Sequence, residues 1–285
     1  MTTTSVFLLI LSASPARAAT FAPVHVVDGD LWVELSDGAA SAMERAGPSR
    51  LISKGTPHAF VRRIEDAAPG GRRVRVVAVD GSCDGQLGRE SLLGIYEPGF
   101  EEEGPNPENA RWVVAAKVSG CAGPFQVAVL DPDGETTVRP QGPEIEAAAE
   151  AVRSARRAID SSRVLADARA EWRPVFGEAE RTREGAFRVG DSVFAFADVV
   201  LDGGECGSTL LVRVVVRRDD RGRTWFVSPP QRLDADDPIS MVADLDGDGA
   251  VEVVTRTMEG GIRVARPDGA ALLVGGDVPF HGCSC

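Results

Sequence analysis

The chain has 285 residues, 43% of them apolar, with 31 Lys and Arg against 43 Asp and Glu for a net charge of −12. That length holds one large all-β domain or two ordinary domains, and the apolar share excludes a disordered composition. The acidic balance argues against nucleic-acid binding, which rests on Lys and Arg displacing counterions, and against docking on anionic lipid.

In chain order, the first element is an export signal over 1–18. Val6 to Leu11 form a short apolar core, and Ala16-Arg17-Ala18 is a small-x-small cleavage site that places the mature start near Ala19. The five residues before the apolar core carry no Lys or Arg, so a buried N-terminal strand is the competing reading. No cysteine follows the run to support a lipid anchor, and after residue 20 nothing approaches the ~20 apolar residues of a membrane span. The expected location is secreted or periplasmic.

From residue 19 to 142, and again from 174 to 285, apolar runs alternate with Asp/Gly punctuation, the pattern of short strands joined by tight turns. Runs at 31–35, 74–79, 112–118, 125–130, 193–196, 210–216, 239–243, 251–254 and 262–265 are rich in β-branched residues. The segment 26–35 resembles 187–196, 79–85 resembles 201–207, and Pro-Asp-Gly occurs at 132–134 and 267–269, all in the same order. Either the chain holds two degenerate copies, or short matches have arisen by chance in a Val/Asp/Gly-rich sequence. Five cysteines in an oxidising compartment leave one over. The half-to-half symmetry favours Cys83 with Cys121, and Cys206 with Cys283 or Cys285.

A helical connector occupies 143–173. Pro143 suits a first turn, Glu144, Glu146 and Glu150 sit where the macrodipole favours anions, and Arg153, Arg156 and Arg157 follow. Ile145, Val152 and Ile159 recur every seven residues, with Ala148, Ala149 and Ala155 on the same face. The pattern breaks at Ser161-Ser162, which would cap a second helix carrying Leu165, Ala168 and Trp172. The acidic stretch 97–109 reads as a solvated loop.

The most specific chemistry lies between the runs at 239–243 and 251–254. Calcium takes about six to eight oxygens in a flexible shell, so several carboxylates must converge. Asp244, Asp246 and Asp248 stand at alternate positions, Gly249 permits a sharp turn, the Ala250 carbonyl follows, and Glu252 can close the shell. An EF-hand is argued against, because its bidentate Glu belongs at position twelve, here Thr255, and because the flanks read as strands. Magnesium fits less well, since it demands near-octahedral geometry. A metal-free hairpin turn is the alternative, as Asp-Gly is also ordinary hairpin chemistry.

Over residues 239–269 the chain resembles the FG-GAP and VCBS repeats of integrin-like β-propellers, whose blade hairpins carry Asp-x-Asp-Gly-Asp-Gly. Asp244, Asp246, Asp248 and Glu252 fall on the ligand positions, although the family usually has Asp where Glu252 stands. Neither a Phe-Gly nor a Gly-Ala-Pro element is present. The resemblance implies a mainly β, propeller-like fold in which calcium pins a hairpin. The mature length allows about five or six blades of ~40–45 residues. An open, incomplete propeller and a two-lobed β-sandwich are the alternatives. The turn at 80–85 keeps part of the acid pattern and gains a cysteine, as if a disulfide had replaced a metal.

The expected function is an exported calcium-binding module for a protein or glycan ligand, or a structural module, rather than an enzyme. Two rival readings remain. His281-x-Cys283-x-Cys285, with Cys206 or His58, has the ligand types for Zn or Cu(I). An enzyme site built from dispersed residues is the other, although hydrolase elbows, His-Glu-x-x-His and phosphate loops are absent from the sequence. Of the three histidines, His25, His58 and His281, none has a sequence-local catalytic partner. Trp32, Trp112, Trp172 and Trp225 read as packing residues.

Overall fold

The computed structural model describes residues 20–36, 39–54, 58–67, 69–96, 106–132, 139–140, 146–177, 179–203, 209–233, 237–257, 261–267 and 270–276. The expected signal at 1–18, Cys206, His281, Cys283, Cys285 and most of the acidic loop lie outside them. Strands dominate, all paired antiparallel, as the sequence predicts.

The first half builds β1 (Thr20–Val27), β2 (Asp30–Ser36), α1 (Ala39–Met43), β3 (Arg50–Ser53), β4 (His58–Arg63), β5 (Arg73–Ala78), β6 (Gly81–Tyr96), β7 (Arg111–Ser119) and β8 (Val127–Leu130). They form one sheet, ordered β3-β4-β6-β5-β8-β1-β2-β7, which closes because β6 also pairs with β7. The sixteen residues of β6 make this possible: its first part pairs with β5, its middle and end with β7, and its end also with β4. Six strands therefore enclose a barrel. Ala22, Leu31, Val33, Val74, Val76, Leu87, Ala116, Val118, Ala128 and Leu130 fill it, with every one of the six strands contributing. Alanines among branched residues suit so narrow an interior.

The segment 80–85, expected as a turn, is instead mostly the start of β6, and the turn is Val79-Asp80. Glycine is required there for a steric reason: a Cβ on Gly85 would lie 2.7 Å from the Ser119 carbonyl oxygen. Cys83 is bonded to Cys121 as expected, tying β6 to the segment after β7. The bridge spans 38 residues of sequence, so replacing both cysteines with serine should lower unfolding stability by roughly 3–4 kcal/mol through the freed denatured chain. Urea unfolding of the two proteins checks this, and equal midpoints would contradict it.

Next come β9 (Arg139–Pro140), α2 (Glu146–Asp160), α3 (Arg163–Phe176), β10 (Glu180–Val189), β11 (Ser192–Asp202), β12 (Thr209–Arg218) and β13 (Thr224–Leu233). The break between the helices falls where predicted, and the Ser162 hydroxyl caps α3 by accepting the Leu165 amide at 3.1 Å. Pro229 and Pro230 are tolerated in β13 because it is the edge of the sheet β13-β12-β11-β10-β9. Ala151, Ala155, Ile159, Leu165, Ala168 and Trp172 press the helices onto Val193, Ala195, Ala197 and Val199 of β11 and the matching residues of β12.

Last is the meander β14 (Ile239–Ala243), β15 (Glu252–Arg256), β16 (Ile262–Ala265) and β17 (Ala271–Gly275). Among the described residues only this sheet has the four strands of a propeller blade. Both its faces are covered. Ile239, Val242 and Val253 pack on Phe194, Phe196 and Val215 of the five-stranded sheet. Met241, Val254, Ile262 and Val264 pack on Phe21, Val77, Val127 and Val129 of the barrel wall. The molecule is thus layered, with helices, five-stranded sheet, meander and barrel in that order.

The resembling segments 26–35 and 187–196 are both hairpins with two-residue turns, closing at Val27 with Asp30 and at Val189 with Ser192. Positive φ at Asp28 (49°) and Gly29 (83°) in the first, and at Gly190 (55°) in the second, accounts for the shared Gly/Asp chemistry. One hairpin lies in the barrel and the other in the open sheet, so the likeness marks a common turn within different topologies.

Candidate metal centre

The loop from Asp244 to Val251 joins β14 to β15, whose ladder ends at Ala243 opposite Glu252. Its two fixed points are buried. Leu245, between the first two acids, is fully buried in the core shared with the barrel. Glu252 is only 2% exposed, and its Oε2 accepts the Leu245 amide at 2.9 Å. Positive φ at Gly247 and Gly249 bends the chain around these anchors.

Ligand oxygens of Asp244, Asp246 and Glu252 lie within 4.8 Å of one another. Oxygens sharing one calcium at about 2.3–2.6 Å stand no more than about 5 Å apart, so this spacing fits the ion. Asp248 is not in that group: its Oδ1 accepts the Ala250 amide at 2.7 Å. Asp244 accepts the Gly247 and Gly249 amides at 2.8 and 3.0 Å, and Asp246 the Asp248 amide at 3.1 Å. These amide bonds orient the acids and offset part of their mutual repulsion. Of the four side chains predicted to hold the ion, the Asp244, Asp246 and Glu252 carboxylates converge, while Asp248 faces its own turn by accepting the Ala250 amide.

The electrostatics show what remains uncompensated. Burial pushes the Glu252 carboxyl up to about 7, with the Asp246, Asp248 and Asp244 charges adding to it against the opposing Leu245 amide. Burial likewise raises Asp246, reinforced by the Asp248 and Asp244 charges and opposed by the Asp248 amide. Near neutral pH the loop thus gathers negative charge at a place that resists it, and a divalent cation would remove the conflict.

Two charge clusters were not legible in the sequence. Glu34 of β2, 6% exposed, meets His25 Nε2 at 2.9 Å and Arg111 at 2.6 and 3.0 Å. Burial alone would raise this carboxyl, but the bonds from His25 and Arg111 outweigh it and hold it down at about 2. In the five-stranded sheet, Arg213 grips the fully buried Asp198 through two bonds of 2.8 Å and also donates to the Asp237 carbonyl at 2.7 Å. Arg183 stands 3.4 Å from the same carboxylate. Only strand pairing brings β10, β11 and β12 into the register that aligns these three side chains.

His58 lies against Tyr96, its cross-strand partner, with ring centres 5.7 Å apart and the planes tilted by 36°. Asp84, in the segment expected to be a degenerate calcium turn, pairs with Arg75 at 2.6 Å. The terminal His-x-Cys-x-Cys lies outside the described residues. Among the described residues no helix is long and apolar enough to cross a membrane. Comparison with known proteins finds no matching family model, no matching curated protein and no matching solved structure.

Proposed function

We propose that this chain is an exported calcium-binding β protein in which the ion pins the β14–β15 hairpin between the barrel and the five-stranded sheet, serving a binding or structural module. The observation that carries the reading is the convergence of the Asp244, Asp246 and Glu252 oxygens within 4.8 Å, one of the three carboxylates being buried. The role is structural because the loop is anchored by core residues of an interlayer hairpin, with Glu252 and Leu245 turned inward. Calcium would draw the Asp248 carboxylate off the Ala250 amide to complete the shell. The likeness to FG-GAP and VCBS repeats supports the same reading for one blade-like meander, since four antiparallel strands are the unit of a propeller blade. A disulfide at Cys83–Cys121 accords with an oxidising compartment outside the cytoplasm.

Isothermal calorimetry at pH 8 tests this. Wild type should bind one calcium. Asp246→Ala should weaken binding by more than the roughly 10–100-fold that loss of even an outer-sphere partner costs. No binding by wild type, or equal binding by both, would sink the proposal.

A further inference from the structure

A concavity of the barrel half lies far in sequence from the calcium loop. It is a cleft of about 690 Å³, within the ordinary range for small-molecule sites. Its apolar lining is Trp32 of β2, Ile52 of β3 and Val61 of β4, residues that share one hydrophobic cluster on the outer face of the barrel strands. Around this lining stand Arg50, Arg63, Arg89 and Lys117, with Asp30 as the one carboxylate among the described residues that line the cleft.

This distribution runs against the composition. The chain has 43 acidic residues and a net charge of −12, yet four cations border this cleft with a single acid. Asp30 is already held by Lys117 at 2.6 Å. Arg89 is oriented by donating its Nε to the Ala67 carbonyl at 3.3 Å, which leaves the outer nitrogens of its fork for a ligand. Arg50 and Arg63 make no ion pair with a described residue and sit at the exposed ends of β3 and β4. Like charges gathered in a concave wall raise the local potential and attract an anion, and arginine forks match the oxygens of phosphate or sulfate.

We infer that this cleft binds a small ring-bodied polyanion, a sugar carrying phosphate or sulfate groups, with its ring over Trp32, Ile52 and Val61 and its anionic groups on Arg50, Arg63 and Arg89. The apolar lining distinguishes this from an adsorbed inorganic ion, which would need only the cations. Lys117, tied to Asp30, sets the rim of the site.

The full chain, in calcium-free buffer, is titrated calorimetrically with fructose 1,6-bisphosphate, with N,6-O-disulfated glucosamine, and with fructose as the neutral control. At least one of the two anions should bind, weakening as salt is raised, while fructose does not. The stronger of the two identifies the anionic group. Arg50→Glu with Arg63→Glu should weaken binding by roughly tenfold or more, with an unchanged melting temperature because both side chains are exposed. Asp30→Asn, which removes the one lining acid, should tighten it. Binding by neither anion, equal binding of fructose, or an affinity indifferent to the arginine reversals overturns the inference. None of these outcomes depends on the calcium loop.

Discussion

Asp198→Ala should destabilise the protein by roughly 3–5 kcal/mol, the cost of leaving a buried charge without its partner. The carboxylate is fully buried in β11 and receives two bonds from Arg213, itself 5% exposed, with Arg183 at 3.4 Å. Removing it leaves two guanidinium groups facing each other between the five-stranded sheet and the meander, near the Asp237 carbonyl that Arg213 also binds. Urea unfolding should show a lower midpoint with an unchanged slope. Asp198→Ala combined with Arg213→Met should recover part of the loss, because an apolar pair carries no desolvation penalty. A loss below about 1 kcal/mol in the single variant would show that the cluster is solvated, contrary to its burial.

The calcium-free protein should be more stable near pH 4.5 than near pH 8, by roughly 2–3 kcal/mol. The sign follows from Glu252, whose carboxyl is raised from 4.5 to about 7 in the fold. Below its unfolded value both states are protonated and the neutral carboxyl is accommodated. As pH rises toward 7 the unfolded chain ionises first, and the stability is lost. The raised Asp246 acts in the same direction. Glu252→Gln, neutral at every pH, should flatten this part of the profile. Calcium binds the ionised form, so its affinity should rise about tenfold per pH unit up to about 7 and then level. A wild-type profile rising from pH 4.5 to 8 without calcium, unaltered in Glu252→Gln, would contradict the burial of that carboxyl.

What the sequence discloses here is what local chemistry encodes. β-branched runs located β5, β7, β11, β12, β14 and β16, because those strands are flanked by turns and buried. Ser161-Ser162 marked the helix break because Ser162 caps in place. Alternate acids around glycine predicted the convergence of Asp244, Asp246 and Glu252, since a tight hairpin fixes their spacing. β10 and β6 were missed because their strands are made by their neighbours. β10 is polar and half-exposed, and β6 carries Gly81, Gly85, Gly88 and Gly94, the signature of turns, yet pairs with three strands. Barrel closure depends on that pairing and on no local pattern. The same holds for Glu34 with Arg111, 77 residues apart, and for Leu245, which reads as a spacer between acids but anchors the loop.

The most direct measurement is a crystal structure of the chain grown with saturating calcium at pH 8. It should place one cation at about 2.3–2.6 Å from oxygens of Asp244, Asp246 and Glu252, with the Asp248 carboxylate drawn off the Ala250 amide and toward the ion. A loop that keeps all its amide-to-carboxylate bonds, with no cation among the three acids at saturating calcium, would contradict the account.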